Sequence, residues 1–298
     1  MMFRKLRMTG KRWLAMLVMG ALLVVGSAAP LQAADLYRSV RFDIPPCCDG
    51  GIYTLGTDGS HGSAVSLPEG NFVSNGGGGL AFDPRGTGTI FVMQPESGGS
   101  DFFTFDATTP GVETFGPVRV SGPSIGALAW NHRSHTLWGM GGAGTSNLFQ
   151  LNPSTGEQIS AVDTTIRGDG LAFAKGFLYL FSEPTGDIWR IDDPASGAVS
   201  FLATVTGLAG NASGLAYDLE TDRLYAGSGT ASNNFMFPVT LAGVVGSAIA
   251  LENPPLPAGH SGVRDTAYGL APSVVPEPAT IALLGVGAVL ALGRRRRA

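Results

Sequence analysis

Gly79-Leu80-Ala81-Phe82-Asp83 is a short apolar segment that recurs along this chain and decides its fold. Its copies are residues 127–131 (Ala-Leu-Ala-Trp-Asn), 170–174 (Gly-Leu-Ala-Phe-Ala), 214–218 (Gly-Leu-Ala-Tyr-Asp) and, more weakly, 269–272 (Gly-Leu-Ala-Pro). Measured from leucine to leucine, the copies are 48, 43, 44 and 55 residues apart. Self-similarity at such a spacing indicates a repeat architecture.

Each full copy is followed by further short apolar segments separated by turn residues. After the first copy these segments are 89–92, 102–105 and 118–120, and the copies at 127 and 170 continue in the same order. The region after the fourth copy becomes less regular beyond Phe235. Four short antiparallel strands in about 45 residues are typical of one blade of a β-propeller.

The two ends of the repeat region complement each other. The last opening segment, near residues 268–274, has no further strands behind it, whereas residues 36–44, 52–57 and 64–67 form three predicted strands without an opening one. Joining them predicts an all-β, five-bladed propeller closed by a composite blade. Six blades remain an alternative because residues 241–255 can hold irregular strands. A β-sandwich is the rival fold, but the repeated opener argues against it.

The composition of the repeats predicts how the blades pack. The small Gly-Leu-Ala opener suits an innermost strand, where blades converge, and the alternating large residues then pack between neighbouring blades. Turns such as residues 152–156, Asn-Pro-Ser-Thr-Gly, are ordinary hairpin chemistry and need no metal.

The first 34 residues have the order of a secretory signal peptide. A basic region is followed by the uncharged stretch 13–26 and by a small-residue stretch that ends in Ala33-Ala34, where we predict cleavage. The 14 residues of the apolar stretch rise only about 21 Å as a helix, which is short for a bilayer core of about 30 Å. An uncleaved N-terminal anchor is the alternative. The basic residues are Arg4, Lys5, Arg7, Lys11 and Arg12.

The C-terminus has three parts in a fixed order. Val275-Pro276-Glu277-Pro278 precedes an uncharged apolar stretch at residues 279–293, predicted to form a hydrophobic helix, and Arg294-Arg295-Arg296-Arg297 follows it. Prolines cannot continue a helix, so they separate the tail from the body. The arginines resist translocation and are predicted to anchor the chain end at the cytoplasmic face.

This tail resembles the PEP-CTERM sorting signal of Gram-negative bacteria. The resemblance implies an exosortase-type membrane transpeptidase as partner, an inner-membrane-anchored intermediate, and cleavage near the motif with transfer to the envelope, surface or medium. Proteins with such a tail tend to accompany exopolysaccharide production and biofilm formation. A simple C-terminal anchor with a proline-rich stalk is the alternative. The predicted domains are thus 1–34 signal peptide, 35–274 exported propeller and 275–298 sorting and anchor segment.

Charge is distributed unevenly between the ends and the body. Nine of the 19 Lys and Arg residues lie in the two end segments, but only Glu277 of the 23 Asp and Glu residues does, so the body has a formal net charge of −12. Such a body argues against nucleic acid or anionic lipid as a partner.

The two cysteines, Cys47 and Cys48, are adjacent. An exported protein can form disulfides, but neighbouring Cα atoms lie about 3.8 Å apart, closer than the usual disulfide span. A strained vicinal disulfide, an intermolecular link and two free thiols all remain open. Without a nearby histidine the pair makes a poor zinc site, and we predict no metal and no cofactor.

A search for catalytic motifs finds no nucleophile elbow, zinc-binding helix motif, phosphate loop or dinucleotide fingerprint in a suitable context. His132 and His135 share a predicted turn and need a third ligand to bind a metal. Asp169 and neighbouring loop groups are predicted near one end of the channel, although solvated turn residues are the default interpretation. The carboxylates scattered through turns are Asp83, Asp101, Asp163, Asp169, Asp187 and Asp218.

Two functional hypotheses follow. The first is a non-enzymatic surface or matrix protein that binds extracellular polysaccharide or another envelope protein. The alternative is a secreted propeller enzyme, a carbohydrate lyase or a lactone or glycan hydrolase, that uses clustered carboxylates with a divalent cation.

Overall fold

A computed structural model describes the body of the chain and leaves the two ends undescribed. The described residues are 36–44, 47–66, 78–83, 88–96, 98–109, 113–122, 124–141, 145–210, 212–228, 234–253, 262–265 and 270–272. All of them belong to the compact unit Ala34–Ala298. Their regular secondary structure is β throughout. The predicted signal helix and C-terminal helix lie outside the described residues.

In this described part, the strands form five sheets, each of which is one blade. Blade 1 is β4–β7, blade 2 is β8–β11, blade 3 is β12–β15 and blade 4 is β16–β19, while blade 5 combines β1–β3 with β20 and β21. The strands are β1 Leu36–Ile44, β2 Cys47–Leu55, β3 His61–Ser66, β4 Gly79–Asp83, β5 Thr89–Glu96, β6 Gly99–Asp106, β7 Glu113–Ser121, β8 Ile125–Asn131, β9 Thr136–Gly141, β10 Asn147–Leu151, β11 Gln158–Asp163, β12 Gly170–Ala174, β13 Phe177–Ser182, β14 Asp187–Asp193, β15 Ala198–Thr204, β16 Ala212–Asp218, β17 Arg223–Ser228, β18 Phe235–Thr240, β19 Ile249–Ala250, β20 Gly262–Asp265 and β21 Leu270–Pro272.

Blade 5 is assembled from both ends of the body, as the sequence predicts. β21 pairs antiparallel with β1, so that Pro272 lies opposite Leu36 and Leu270 lies opposite Arg38. The closing prediction and the count of five blades are therefore confirmed. One strand was not predicted. β20, which precedes β21 in the chain, pairs with residues 41–43 of β1, next to the residues that pair with β21.

The repeated openers form the innermost ring of the propeller. β4, β8, β12, β16 and β21 contact one another in that order, and β21 contacts β4 to complete the circle. The approach is close, because a Cβ atom added to Gly79 would lie 2.6 Å from the Cα atom of Ala127 on the next strand. Real Cβ atoms do not tolerate such a contact, so the ring requires the small opening residues that the sequence supplies.

Large residues fill the space between blades, again as predicted. Leu128 and Trp130 of β8 pack on Phe91 and Phe102 of blade 1, for example, whereas Ala129 between them belongs to the cluster shared with blade 3. This alternation follows from the two-residue period of a strand. Each of the five junctions has its own apolar cluster in the described residues.

In blades 2 to 5, a glycine in the turn between the third and fourth strands lies against the preceding blade. Gly59, Gly156, Gly197 and Gly243 have positive φ angles of 89°, 73°, 74° and 85°. An added Cβ atom would collide with the preceding blade in all four cases. In three of them the nearest atom is a backbone carbonyl oxygen in the outermost strand of that blade. The sequence interpretation of these turns as simple hairpins was therefore incomplete.

The two faces of the propeller are defined by the direction of the innermost strands. We call the upper face the one where these strands begin; it carries the turns at 164–169, 183–186 and 205–210. The lower face is the one where they end, and it carries the turns at 132–135, 219–222 and 241–243.

Candidate functional site

The upper mouth of the channel is the best candidate for a binding site in the described residues. Backbone atoms and side chains at the start of the innermost strands line a shallow, open cleft. The lining comprises Gly79, Leu80, Gly126, Ala127, Leu128, Gly170, Leu171, Ser213, Gly214 and Leu215. The cleft holds essentially no water-sized free space, so a ligand here would lie across the mouth rather than inside it.

Three charged side chains of blade 3 stand beside this mouth. Arg167 Nη2 lies 3.0 Å from Glu183 Oε2, and Arg167 Nε lies 3.7 Å from Asp169 Oδ2. Asp169 immediately precedes β12, and its backbone N–H donates to the carbonyl of Phe181 at 2.9 Å. The backbone of Glu183 is held by the turn between β15 and β16, because the Gly210 N–H donates to the Glu183 carbonyl at 2.6 Å. We call Arg167, Asp169 and Glu183 the mouth triad.

The electrostatics of the mouth triad are dominated by the burial of Asp169. Only 17% of this side chain is exposed, and its Oδ2 atom is buried without a hydrogen-bond partner. Burial raises the pKa of Asp169 to about 6; the nearby Arg167 charge opposes this shift, and the Glu183 carboxylate adds to it. Because the carboxyl changes charge near pH 6, the mouth can exchange a proton under mild conditions.

The other predicted carboxylates do not converge on the mouth. Asp101 pairs with Arg119 at 3.1 Å, Asp163 accepts from Ser146 Oγ at 2.5 Å, and Asp187 accepts from Thr204 Oγ1 at 2.6 Å. Asp218 accepts from the backbone N–H and the hydroxyl of Thr221 in its own turn. Asp83 is buried at the lower end of β4. Four of these carboxylates hold turns or strand edges. Asp83 and Asp218 are buried, so the default interpretation of solvated turn residues does not apply to them.

The predicted turn histidines lie on the lower face, away from the mouth triad. The His132 ring packs edge-on against Phe173 at 5.3 Å, and the His135 ring lies 6.3 Å from that of Trp130. Burial lowers the pKa of His132, with Arg133 and His135 adding to the effect. Within the described ranges no three His, Cys, Asp or Glu side chains gather as a metal-binding group.

Sequence reasoning missed a buried arginine at the junction of blades 4 and 5. Arg38 is 0% exposed, and its Nη2 donates to the Glu252 carbonyl at 2.6 Å. Burial lowers the pKa of Arg38 to about 10, against the opposing influence of Tyr53 and Glu252. The segment after β19 is tied further, because the Glu252 N–H donates to Gly59 and its carboxylate accepts from the His61 N–H. No pattern around Arg38 distinguishes it from a surface arginine.

Several predicted site residues lie outside the described residues. These are the cleavage positions Ala33 and Ala34, the motif Val275 to Pro278 and the cluster Arg294 to Arg297. Cys47 and Cys48 begin β2, opposite Ile44 and Asp43. A vicinal disulfide stays one of the three alternatives that the sequence leaves open for them. No helix long and apolar enough to span a bilayer is found in the described part of the chain.

Comparison with known families identifies the C-terminal tail. Residues 274–297 match the family described as PEP-CTERM protein-sorting motif. This confirms the resemblance drawn from Pro276, Glu277 and Pro278 and from the parts that follow them. The motif implies export, a membrane-anchored intermediate and processing by an exosortase. A search of the curated proteins finds no match.

Solved structures with a similar backbone are distant. A nidogen/laminin complex is 11% identical with a TM-score of 0.49, covering 80% of this chain and 98% of the other. Myxococcus xanthus glutaminyl cyclase is 14% identical with a TM-score of 0.43, and the match covers 70% of this chain and 74% of the cyclase chain. Kuenenia stuttgartiensis hydrazine synthase is 15% identical with a TM-score of 0.42, and the match covers 62% of this chain and 52% of the synthase chain. At these values they carry no argument about function. In its described part and its tail, the chain thus combines a five-bladed β-propeller with a PEP-CTERM sorting motif.

Proposed function

We propose that this chain is an exported envelope or matrix protein, processed by an exosortase, whose propeller has a non-enzymatic binding or structural role toward extracellular polysaccharide or another envelope protein. The observation that carries this proposal is the sorting motif at residues 274–297, which directly follows the closing strand β21. A leader at residues 1–34 supplies the route of export.

The shape of the propeller supports surface binding. Its upper mouth encloses essentially no space that a water-sized sphere could occupy, whereas pockets that enclose drug-sized ligands usually measure roughly 300–1,000 Å³. The carboxylates Asp101, Asp163, Asp187 and Asp218 are engaged in their own blades. A polymer lying across the upper face therefore fits this geometry better than a small molecule enclosed in the channel.

Processing can be tested by following the full chain in a producing cell with and without its exosortase. We expect a shorter chain to reach the surface or the medium when the enzyme is present, and the full-length chain to stay in the membrane fraction when it is absent. The matched variant Glu277→Ala should behave as if the enzyme were missing. Equal release in all three cases would overturn the proposed sorting.

The binding role needs a separate assay. We expect the processed protein to be retained on immobilised polysaccharide from the producing cells and to elute with the free polymer. A charge-reduced variant, Arg167→Gln with Glu183→Gln, should lower this retention if the upper mouth is the binding surface. Passage of the wild-type protein without retention, under conditions where it is folded, would contradict the polysaccharide role.

A secreted enzyme is the second candidate, and the state of Asp169 favours it. A carboxyl with a pKa near 6 is suited to act as a general acid, the kind of group that a lyase or glycan hydrolase uses. The divalent cation that this hypothesis includes would bind Asp169 and Glu183 only if Arg167 moved aside, because Arg167 contacts both carboxylates. A calcium titration followed by thermal melting tests the cation: a large stabilisation that Asp169→Asn removes would favour the enzyme or a metal-dependent lectin, and no shift would favour the metal-free binding role.

A further inference from the structure

The chain leaves the propeller at the lower face and at the innermost strand. Pro272 is the last residue of β21, which belongs to the innermost ring through its contacts with β4 and β16. When the opener copies are aligned, Pro272 corresponds to Phe82 and Trp130. Those two residues lie one residue before the lower ends of β4 and β8. Leu36, the first residue of β1, is paired with Pro272. Both ends of the folded body therefore meet at the centre of the lower face.

Only a short tether separates this exit from the apolar segment of the tail. Residues 273–278 lie between Pro272 and Ala279, where the uncharged stretch 279–293 begins. Seven Cα-to-Cα steps span at most about 25 Å when the backbone is fully extended. The point where the apolar segment enters a bilayer thus lies within about 25 Å of the centre of the lower face.

This reach excludes the upper face as the one that lies against the membrane. If the upper face did so, the tether would have to run outward along the lower face to the rim and then along the height of a blade. Three strand spacings from first to fourth strand measure about 14 Å, and the five residues of an innermost strand rise about 17 Å, which makes a path of about 31 Å even before side chains are added. That path is longer than the tether, whereas the tether begins at the lower face itself.

The lower face also carries the most exposed large apolar side chains of the described residues. Val244, Leu219 and Ile159 are 64%, 62% and 60% exposed. Leu219 follows β16 directly, Val244 lies just after the turn that follows β18, and Ile159 is the second residue of β11, next to a lower turn. The body charge of −12 offers no attraction to anionic lipid, so apolar contact and the tether, not charge, would hold this face at a bilayer.

We infer that in the membrane-anchored intermediate the lower face of the propeller lies against the phospholipid bilayer and the upper mouth faces away from it. The inference rests on the proposed sorting function, because it needs the anchored intermediate. It adds an interaction surface, and it leaves the mouth triad accessible from the side of the body that faces away from the membrane while the chain is still anchored.

The orientation can be measured with the full chain in lipid vesicles. In a Cys47→Ser, Cys48→Ser background, one fluorophore is attached at Leu219→Cys or Val244→Cys on the lower face, or at Ala209→Cys on the upper face. The vesicles consist of phosphatidylcholine with a nitroxide on part of the headgroups. We expect at least about twofold stronger quenching at the two lower sites than at the upper site, because the faces are separated by roughly 17 Å of strand. The same labelled chains in detergent without nitroxide are the control.

The outcomes separate this inference from the proposed function. If the chain floats with the vesicles but Ala209→Cys is quenched as strongly as Leu219→Cys and Val244→Cys, the inferred orientation is wrong and the sorting proposal is unaffected. If the chain does not float with the vesicles, the tail is not a membrane anchor, and the sorting proposal fails together with the orientation. Two lower-face sites guard against a local effect of one substitution.

Discussion

Blade 3 and blade 5 have similar β-sheets but are held together in different ways. Blade 3 comes from one continuous stretch, β12 to β15, and its hairpins pair neighbouring segments. Blade 5 depends on β21 and β20 pairing with β1 from the far end of the body. Contacts between such distant segments form only after a large loss of chain entropy. We therefore expect blade 5 to be the last blade to form and the first to open.

The junctions of these blades differ as well. Blade 3 meets blade 2 through a purely apolar cluster around Leu171, Leu178 and Leu180. Blade 5 meets blade 4 through a smaller apolar cluster and the buried charge of Arg38. The junction that closes the ring therefore adds a buried, hydrogen-bonded charge to its apolar packing.

The largest expected effect tests whether the two blades dock on their neighbours in the same way. Gly59→Ala in blade 5 and Gly197→Ala in blade 3 should each lower the free energy of unfolding by about 3 kcal/mol, because the new methyl group would meet the backbone of the preceding blade at a positive φ angle. Denaturant unfolding measures the loss.

Gly207→Ala is the matched control for the glycine joints. Gly207 also has a positive φ angle, but an added Cβ atom would have no heavy atom within 4 Å. Its substitution should cost only about 1 kcal/mol. If Gly59→Ala cost no more than Gly207→Ala, blade 5 would not dock on blade 4 as described.

The second prediction sharpens the difference between the junctions. Arg38→Met should destabilise the protein by about 2 kcal/mol, because the Glu252 carbonyl loses a hydrogen bond from a charged donor. Arg190→Met in blade 3 should cost less than about 1 kcal/mol, since Arg190 is 42% exposed where it pairs with Asp192. Equal losses for both variants would show that the buried hydrogen bond of Arg38 stabilises the fold no more than an exposed ion pair does.

The third prediction concerns the pH dependence contributed by Asp169 of blade 3. Its pKa in the folded protein, about 6, is higher than the usual value of an unfolded aspartate, so the folded state binds more protons between about pH 4 and 6. This group therefore stabilises the fold below about pH 4, and the contribution is lost as pH rises through 6.

Asp169→Asn removes that titration. Its unfolding free energy should lack the decrease between pH 4 and 7, roughly 2 kcal/mol, that the wild-type protein shows because of Asp169. Urea unfolding at several pH values measures both curves. Parallel curves for the two proteins would show that Asp169 is not buried as described.

The smallest effect is expected at the junction of blades 3 and 4. The Tyr217 hydroxyl donates to Asp222 Oδ1 at 2.5 Å, and Lys175 lies 3.4 Å from the same carboxylate. Tyr217→Phe should cost about 1 kcal/mol, because one hydrogen bond to a charged acceptor is lost. Lys175→Met should be nearly neutral, since both charged groups are largely exposed. A loss with Lys175→Met as large as that with Tyr217→Phe would contradict this ranking.

The sequence predicted the elements that follow the strand period and the repeat. The openers, the packing of large residues between blades, the composite blade and the sorting tail all left a pattern in residue type and spacing. Asp169 was placed correctly at a channel mouth because it directly precedes an opener.

The remainder depends on contacts that leave no local pattern. β20 contains Gly262, Arg264 and Asp265 and does not resemble a strand; pairing with the long β1 makes it one. β2 begins at Cys47, before the predicted start at residue 52, for the same reason. Arg38 is buried by the segment around Glu252, more than 200 residues away. The partners of Asp169, Arg167 and Glu183, come together only through the turns of blade 3.

A cross-link between the two ends of the body tests ring closure most directly. In the full chain with Cys47→Ser and Cys48→Ser, cysteines at the paired positions Leu36 and Pro272 should form a disulfide on mild oxidation, because opposed residues of antiparallel strands have suitable Cα distances. Cysteines at Leu36 and Ala271 should not, since adjacent residues of a strand point to opposite faces. We predict cross-linking of the first pair only; cross-linking of neither pair, or of both equally, would contradict closure of the propeller by β1 and β21.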